Sequence, residues 1–148
     1  MAEGYRRNAA EDRSLLVAAF AGRVFGIDAR TGERRWEHRI GGALAGGEIE
    51  LLVEGDRIFA KGSGPTLALL EYPTGRLVGQ LELPGTYHGR STMLLEGGLL
   101  FVASRGEITC VRAADAAVVW HDPMKGKGIG SVALAFPGRM RQADDPGS

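Results

Sequence analysis

A strand–turn unit that recurs along the chain constrains the fold more than any other feature of the sequence. Its best-kept copy spans residues 15–36, LLVAAFAGRVFGIDARTGERRW. Leu15 to Phe20 is an apolar run of strand length. Ala21-Gly22-Arg23 is a compact turn, in which Gly22 takes positive φ without a Cβ penalty. Val24, Phe25 and Ile27 form a second strand, rich in β-branched and aromatic residues. Residues 28–32 make a second turn: the Asp28 carboxylate accepts a backbone N–H two residues on, and Gly32 supplies the left-handed residue. Residues 33–40 form a third strand whose charge predicts an edge or outer position. Three antiparallel strands in succession are a meander.

The unit returns twice. Strands are expected at 49–53, 58–61, 66–72 and 76–83, and again at 91–95, 99–103, 107–112 and 117–121. Thr31-Gly32 aligns with Thr74-Gly75, and Trp36 aligns with Trp120, while Gly79 stands at the Trp position of the second unit. Spacings of 43 and 41 residues fit one four-stranded propeller blade per repeat. The first unit lacks the opening strand that the other two have. Residues 130–138 align with those opening strands at 51–55 and 93–97, and residues 139–145 read as too polar for a buried strand after it. The expected architecture is therefore all-β: a propeller of three four-stranded blades over 14–138, with a loose tail at 1–13 and a polar tail at 139–148.

Three blades do not close a ring, since propellers typically have four to eight. An open arc exposes apolar blade faces and free strand edges. A homodimer with two-fold symmetry gives six blades, with the last strand of each chain (Val132, Leu134, Phe136) completing the first blade of the other. Burying each of those side chains contributes ~1.5–3 kcal/mol at most. Done twice, with blade-to-blade packing added, this can exceed an association cost of ~4–15 kcal/mol. A nine-bladed trimer, or an arc completed by a different propeller protein, stays open.

The run GRVFGIDARTGERRW, with Gly22, Asp28, Thr31, Gly32 and Trp36, resembles the PQQ-like β-propeller repeat of quinoprotein dehydrogenases and outer-membrane assembly propellers. The later repeats depart from it: Glu71 and Arg112 stand at the Asp position. The resemblance covers roughly residues 14–136 and implies the fold. It says little about function, because these residues, with Thr74, Gly75 and Trp120, build turns and blade packing. The family name invites the cofactor pyrroloquinoline quinone. The resembling dehydrogenases are large secreted proteins whose cofactor sites also need calcium ligands, and no such acidic constellation is recognisable here. No cofactor and no metal are expected.

Composition narrows the partners. Lys plus Arg number 18 and Asp plus Glu 18, so no broad basic field suits nucleic acid or an anionic membrane. The single Cys110 excludes an internal disulfide and a Cys-based zinc site. No apolar run reaches the ~18 residues of a membrane span, and the first residues show no secretory h-region, so a cytoplasmic protein is expected. His38 and His121 follow the two tryptophans on outer strands and are expected to be solvated. His88 differs, lying in a connection from an outer strand to the next inner strand. Tyr87, His88 and Arg90, with Lys125 and Lys127 of the equivalent connection, form the candidate binding face, and the two lysines suit an anion. No nucleophile or carboxylate neighbours His88 in sequence, so no catalytic residue is assigned. The expected function is a non-enzymatic scaffold that binds itself and another protein. The alternatives are a small-molecule-binding or hydrolase/lyase-type propeller acting at the channel mouth, or one half of a heteromeric propeller.

Overall fold

The computed structural model describes residues 13–40, 48–85 and 90–141, and every regular element among them is a strand. The first sheet holds β1 (Leu15–Phe20), β2 (Arg23–Asp28) and β3 (Arg34–Arg39) in that order. The second holds β4 (Glu50–Glu54), β5 (Arg57–Lys61), β6 (Thr66–Glu71) and β7 (Leu77–Glu82). The third holds β8 (Thr92–Glu96), β9 (Leu99–Ser104), β10 (Glu107–Arg112) and β11 (Ala117–Asp122). All pairs are antiparallel neighbours in sequence, so each sheet is one meandering blade. Among the described residues the first blade has three strands, without the opening strand that the other two have.

The repeat is written into the backbone as well as the sequence. Before the outer hairpin turn each blade carries a bulge, at Gly26/Ile27, Leu69/Leu70 and Cys110/Val111. The turn itself is closed by the same bond three times: Gly32 N–H to Asp28 O at 2.8 Å, Gly75 N–H to Glu71 O at 2.8 Å, and Ala116 N–H to Arg112 O at 2.9 Å. Asp28, Glu71 and Arg112 are thus equivalent positions, as the sequence alignment has them. The first hairpin turn places Ala21 at φ 50° and Gly22 at φ 76°, the doubly left-handed turn that matches strand twist.

The core explains why the middle blade is the most apolar. Along β6, Leu67 and Leu69 point to one face, while Ala68 and Leu70 point to the other. Leu67, Leu69 and Phe59 join Met93, Leu100, Val102 and Val111 of the third blade in one buried cluster. Ile58, Ala60, Ala68 and Leu70 join Val24 and Ile40 of the first blade in a second cluster. The middle blade is covered on both faces by neighbouring blades, which calls for near-continuous apolar strands, whereas among the described residues the outer face of the third blade carries only the short terminal hairpin with Phe136 on Phe101.

One expectation needs correction. The polar tail set at 139–148 begins later, because Arg139–Arg141 form strand β13, paired with β12 (Leu134–Phe136). The segment escapes the objection of polarity because its arginines are not buried bare. Arg139 pairs with Glu54 and with Glu96 (3.3 Å), and Arg141 lies 3.7 Å from Glu54. These acids end the inner strands β4 and β8, so β13 lies along the inner strands and not outward of β12. The edge of β12 opposite β13 carries no strand among the described residues.

Candidate interaction surface

The contact between successive blades is built around one indole. Trp36 on β3 lies across Gly26 of its own blade, where an added Cβ would sit 2.2 Å from the ring. It also lies across Gly75 of the next blade, where an added Cβ would sit 2.3 Å away. Its Nε1–H donates to the Pro73 carbonyl at 2.8 Å. Only glycine on both sides leaves room for a flat ring, and Gly75 at φ 76° also needs glycine's conformational freedom.

The other repeat residues hold the turns. Asp28 accepts from the N–H groups of Arg30 (2.8 Å) and Thr31 (3.2 Å) and from Arg35 (2.9 Å). The Arg35 guanidinium, with those two amides, holds the Asp28 carboxyl at about 2 against an ordinary 3.8. Thr31 Oγ1 accepts from the Glu33 N–H. In the second blade Glu71 takes the Asp role: Thr74 Oγ1 and Arg76 donate to it at 2.8 Å, which lowers its pKa. In the third blade the charges are exchanged, with Arg112 at the turn bonded to Asp115 at 2.9 Å. Gly22, Asp28, Thr31, Gly32, Trp36, Thr74 and Gly75 therefore act as turn and packing residues.

Among the described residues, both end blades leave large apolar side chains exposed. On the first blade Leu16 is 54% exposed and Phe20 63% exposed, with Phe20 stacked on Phe25 at 5.1 Å. On the third blade Val118 is 44% and Trp120 43% exposed. Trp120 stands 6.0 Å from Phe101, which in turn touches Phe136 at 5.3 Å. The strand expected to close a dimer is short: Leu134 and Phe136 lie in β12, and half-buried Val132 precedes it. The Val132 carbonyl accepts the Thr92 hydroxyl at 2.6 Å.

The loop-face candidates are only partly placed. Tyr87 and His88 lie outside the described residues. Arg90 lies 3.6 Å from Glu48, and its carbonyl accepts from Ser104. Lys125 and Lys127 are exposed on the turn after β11, whose backbone closes from Lys127 N–H to Met124 O. The expectation of solvated histidines is corrected: His38 and His121 are half-buried. His121 Nε2 sits 3.1 Å from Glu107, a contact that sequence cannot show because it crosses a strand pair.

Sequence reasoning also missed a cleft of about 300 Å³ between the inner strands, lined by Glu50, Ser91, Thr92 and Arg141 among others. Glu50 accepts the Ser91 N–H at 2.7 Å. Glu50 also pairs in register with Lys61, whose ammonium donates to the carbonyls of Gly62 and Gly64; burial lowers its pKa and Glu50 partly restores it. The available signal was polar residues at the starts of consecutive inner strands. No group of three or more His, Cys, Asp or Glu placed to hold a metal occurs among the described residues.

A family model described as outer membrane protein assembly factor BamB matches residues 3–122. The chain belongs to this family. BamB-type repeats account for the turn and tryptophan pattern described above. Among solved structures, BamB from Moraxella catarrhalis is 20% identical with a TM-score of 0.58, over 80% of this chain and 36% of that one. The Pan2 WD40 domain of Neurospora crassa is 16% identical with a TM-score of 0.63, over 76% and 35%. A europium-containing methanol dehydrogenase is 13% identical with a TM-score of 0.56, over 72% and 22%. At these identities the likeness is one of fold, and the chain spans little more than a third of the first two. None of the curated proteins compared matches it.

Proposed function

We propose that this BamB-type chain is a non-enzymatic interaction scaffold, half of a propeller that a second copy completes as a six-bladed ring. One observation carries the reading: both end blades present apolar faces, Leu16 with Phe20 and Val118 with Trp120, to solvent. Turns and blade packing take up the motif residues apart from Trp120, and what is left for recognition is surface. Paired with its copy, the arc loses both exposed faces and presents two identical loop faces to a further protein, suited to a two-fold partner. The open edges of β1 and β12 allow strand exchange between copies. The reading is of a cytoplasmic protein, tested by cell fractionation. Affinity capture with the full chain tests the scaffold role and is expected to return a protein partner at fixed stoichiometry. Capture of none, with turnover of a metabolite by the pure chain, contradicts it.

A second reading is favoured by the cleft at Glu50, Ser91, Thr92 and Arg141, whose size suits a small polar ligand. In that reading Arg141→Ala abolishes ligand-induced thermal stabilisation. Unchanged stabilisation contradicts a site there.

A further inference from the structure

Three positions recur at each blade junction: one on the strand next to the outer strand of a blade, its cross-strand partner on the outer strand, and one on the outer turn of the next blade. Between blades one and two they are Gly26, Trp36 and Gly75, with the indole filling the space between two glycines. Between blades two and three they are Leu69, Gly79 and Ala116. There the outer-strand residue is glycine, and a Cβ built on it would meet the Ala116 methyl at 2.9 Å. A large outer-strand side chain thus faces glycine on the next turn, and a glycine faces a methyl group.

Both ends of the chain hold half of such a junction. The third blade offers Cys110 and Trp120, paired in register, with the indole 43% exposed. The first blade offers the turn at Gly32, φ 78°, where an added Cβ would meet nothing within 4 Å. Gly32 is equivalent to Gly75 by the shared turn bond to Asp28 and Glu71. An unmatched tryptophan calls for a glycine turn, and the unmatched turn has glycine and not the alanine of the other junction. We infer that Trp120 of one copy docks on Gly32 of a second copy of this chain, reproducing between molecules the glycine-turn side of the Trp36–Gly75 junction, with Cys110 in place of Gly26 on the indole's own blade. Its Nε1–H then reaches the Arg30 carbonyl of the partner subunit, the equivalent of Pro73 O. Two such junctions, related by the two-fold axis, select a second copy over an unrelated apolar partner. The hairpin of β12 and β13 covers Phe101 beside this site and leaves the indole of Trp120, tilted against Phe101, part-exposed.

This inference rests on the reading that a second copy closes the ring, and the two are separated by mixing variants. Trp120→Gly leaves a half-exposed position without its ring. Gly32→Ala adds a methyl that meets nothing within the chain, on a turn that in the third blade takes Ala116 at φ 61°. Each full-length variant is purified, its thermal transition checked, and its mass followed with concentration by light scattering. Each alone is expected to associate at least about tenfold more weakly than the parent chain. An equimolar mixture restores association, because one of its two junctions again pairs Trp120 with Gly32. Trp120→Ala is expected to behave as Trp120→Gly, should the glycine perturb β11. A parent chain that dimerises while the variants dimerise equally well overturns the docking and leaves the ring reading standing. Monomeric variants that do not complement each other also overturn it. A parent chain that stays monomeric overturns both.

Discussion

Asp28 shows how a half-buried side chain is held by its turn. Its carboxyl titrates at about 2 and not 3.8, chiefly through Arg35 and then through the Arg30 and Thr31 amides. A depressed carboxylate stabilises the fold above its ordinary pKa and loses that contribution as pH falls through the folded value. Asp28→Asn is therefore expected to flatten the acid limb of the stability profile between 3.8 and about 2 and to leave its neutral region nearly level. Denaturant midpoints against pH, repeated in high salt, check this; the effect is modest, because exposed pairs are screened. Trp36 is the opposite case, half-buried between two glycines. Trp36→Ala is expected to cost about 2–3 kcal/mol, below the range for a fully buried aromatic, read from the shift of the urea midpoint. Gly32→Ala, with open space around it, is expected to cost far less than Gly75→Ala, whose methyl would strike the indole.

At the scale of elements, the strands were legible because apolar runs of strand length are punctuated by turns with Gly, Asp and Thr. Residues 66–72 could be read as strand without knowing that both of its faces are buried. Of the final hairpin, β12 lies within the strand expected at 130–138, and β13 was not legible. Arg139 and Arg141 read as tail because polarity in a sequence does not distinguish solvated arginine from arginine paired with Glu54 and Glu96, which lie more than forty residues away. The same distance hid the bond from Ser91 to Glu50. Surface ion pairs contribute only ~0–1 kcal/mol each, so the hairpin, tied to the inner strands by such pairs and by Phe136, is held weakly. Arg139→Ala is expected to speed amide exchange in β12 and β13 and to leave β5, β6, β9 and β10 unchanged. Equal exchange in the variant and the parent chain would show that Phe136 on Phe101 suffices to hold it.

At the scale of the molecule, the repeat spacing specified blades, and counting strands specified an incomplete first blade. The glycine that accepts a neighbouring tryptophan was visible as a motif. Its partner was not, because the pairing of Trp36 with Gly75 crosses a blade junction. The fold subdivides into two buried clusters, one at each junction, and the two outer faces are the remaining halves of the same junction. Ring closure by a second copy is the claim on which the rest depends. Light scattering coupled to size exclusion on the full 15.7 kDa chain tests it most directly. The account predicts twice the chain mass, falling to the monomer value on dilution. A mass that stays at 15.7 kDa at every concentration, or settles at three chains, contradicts it.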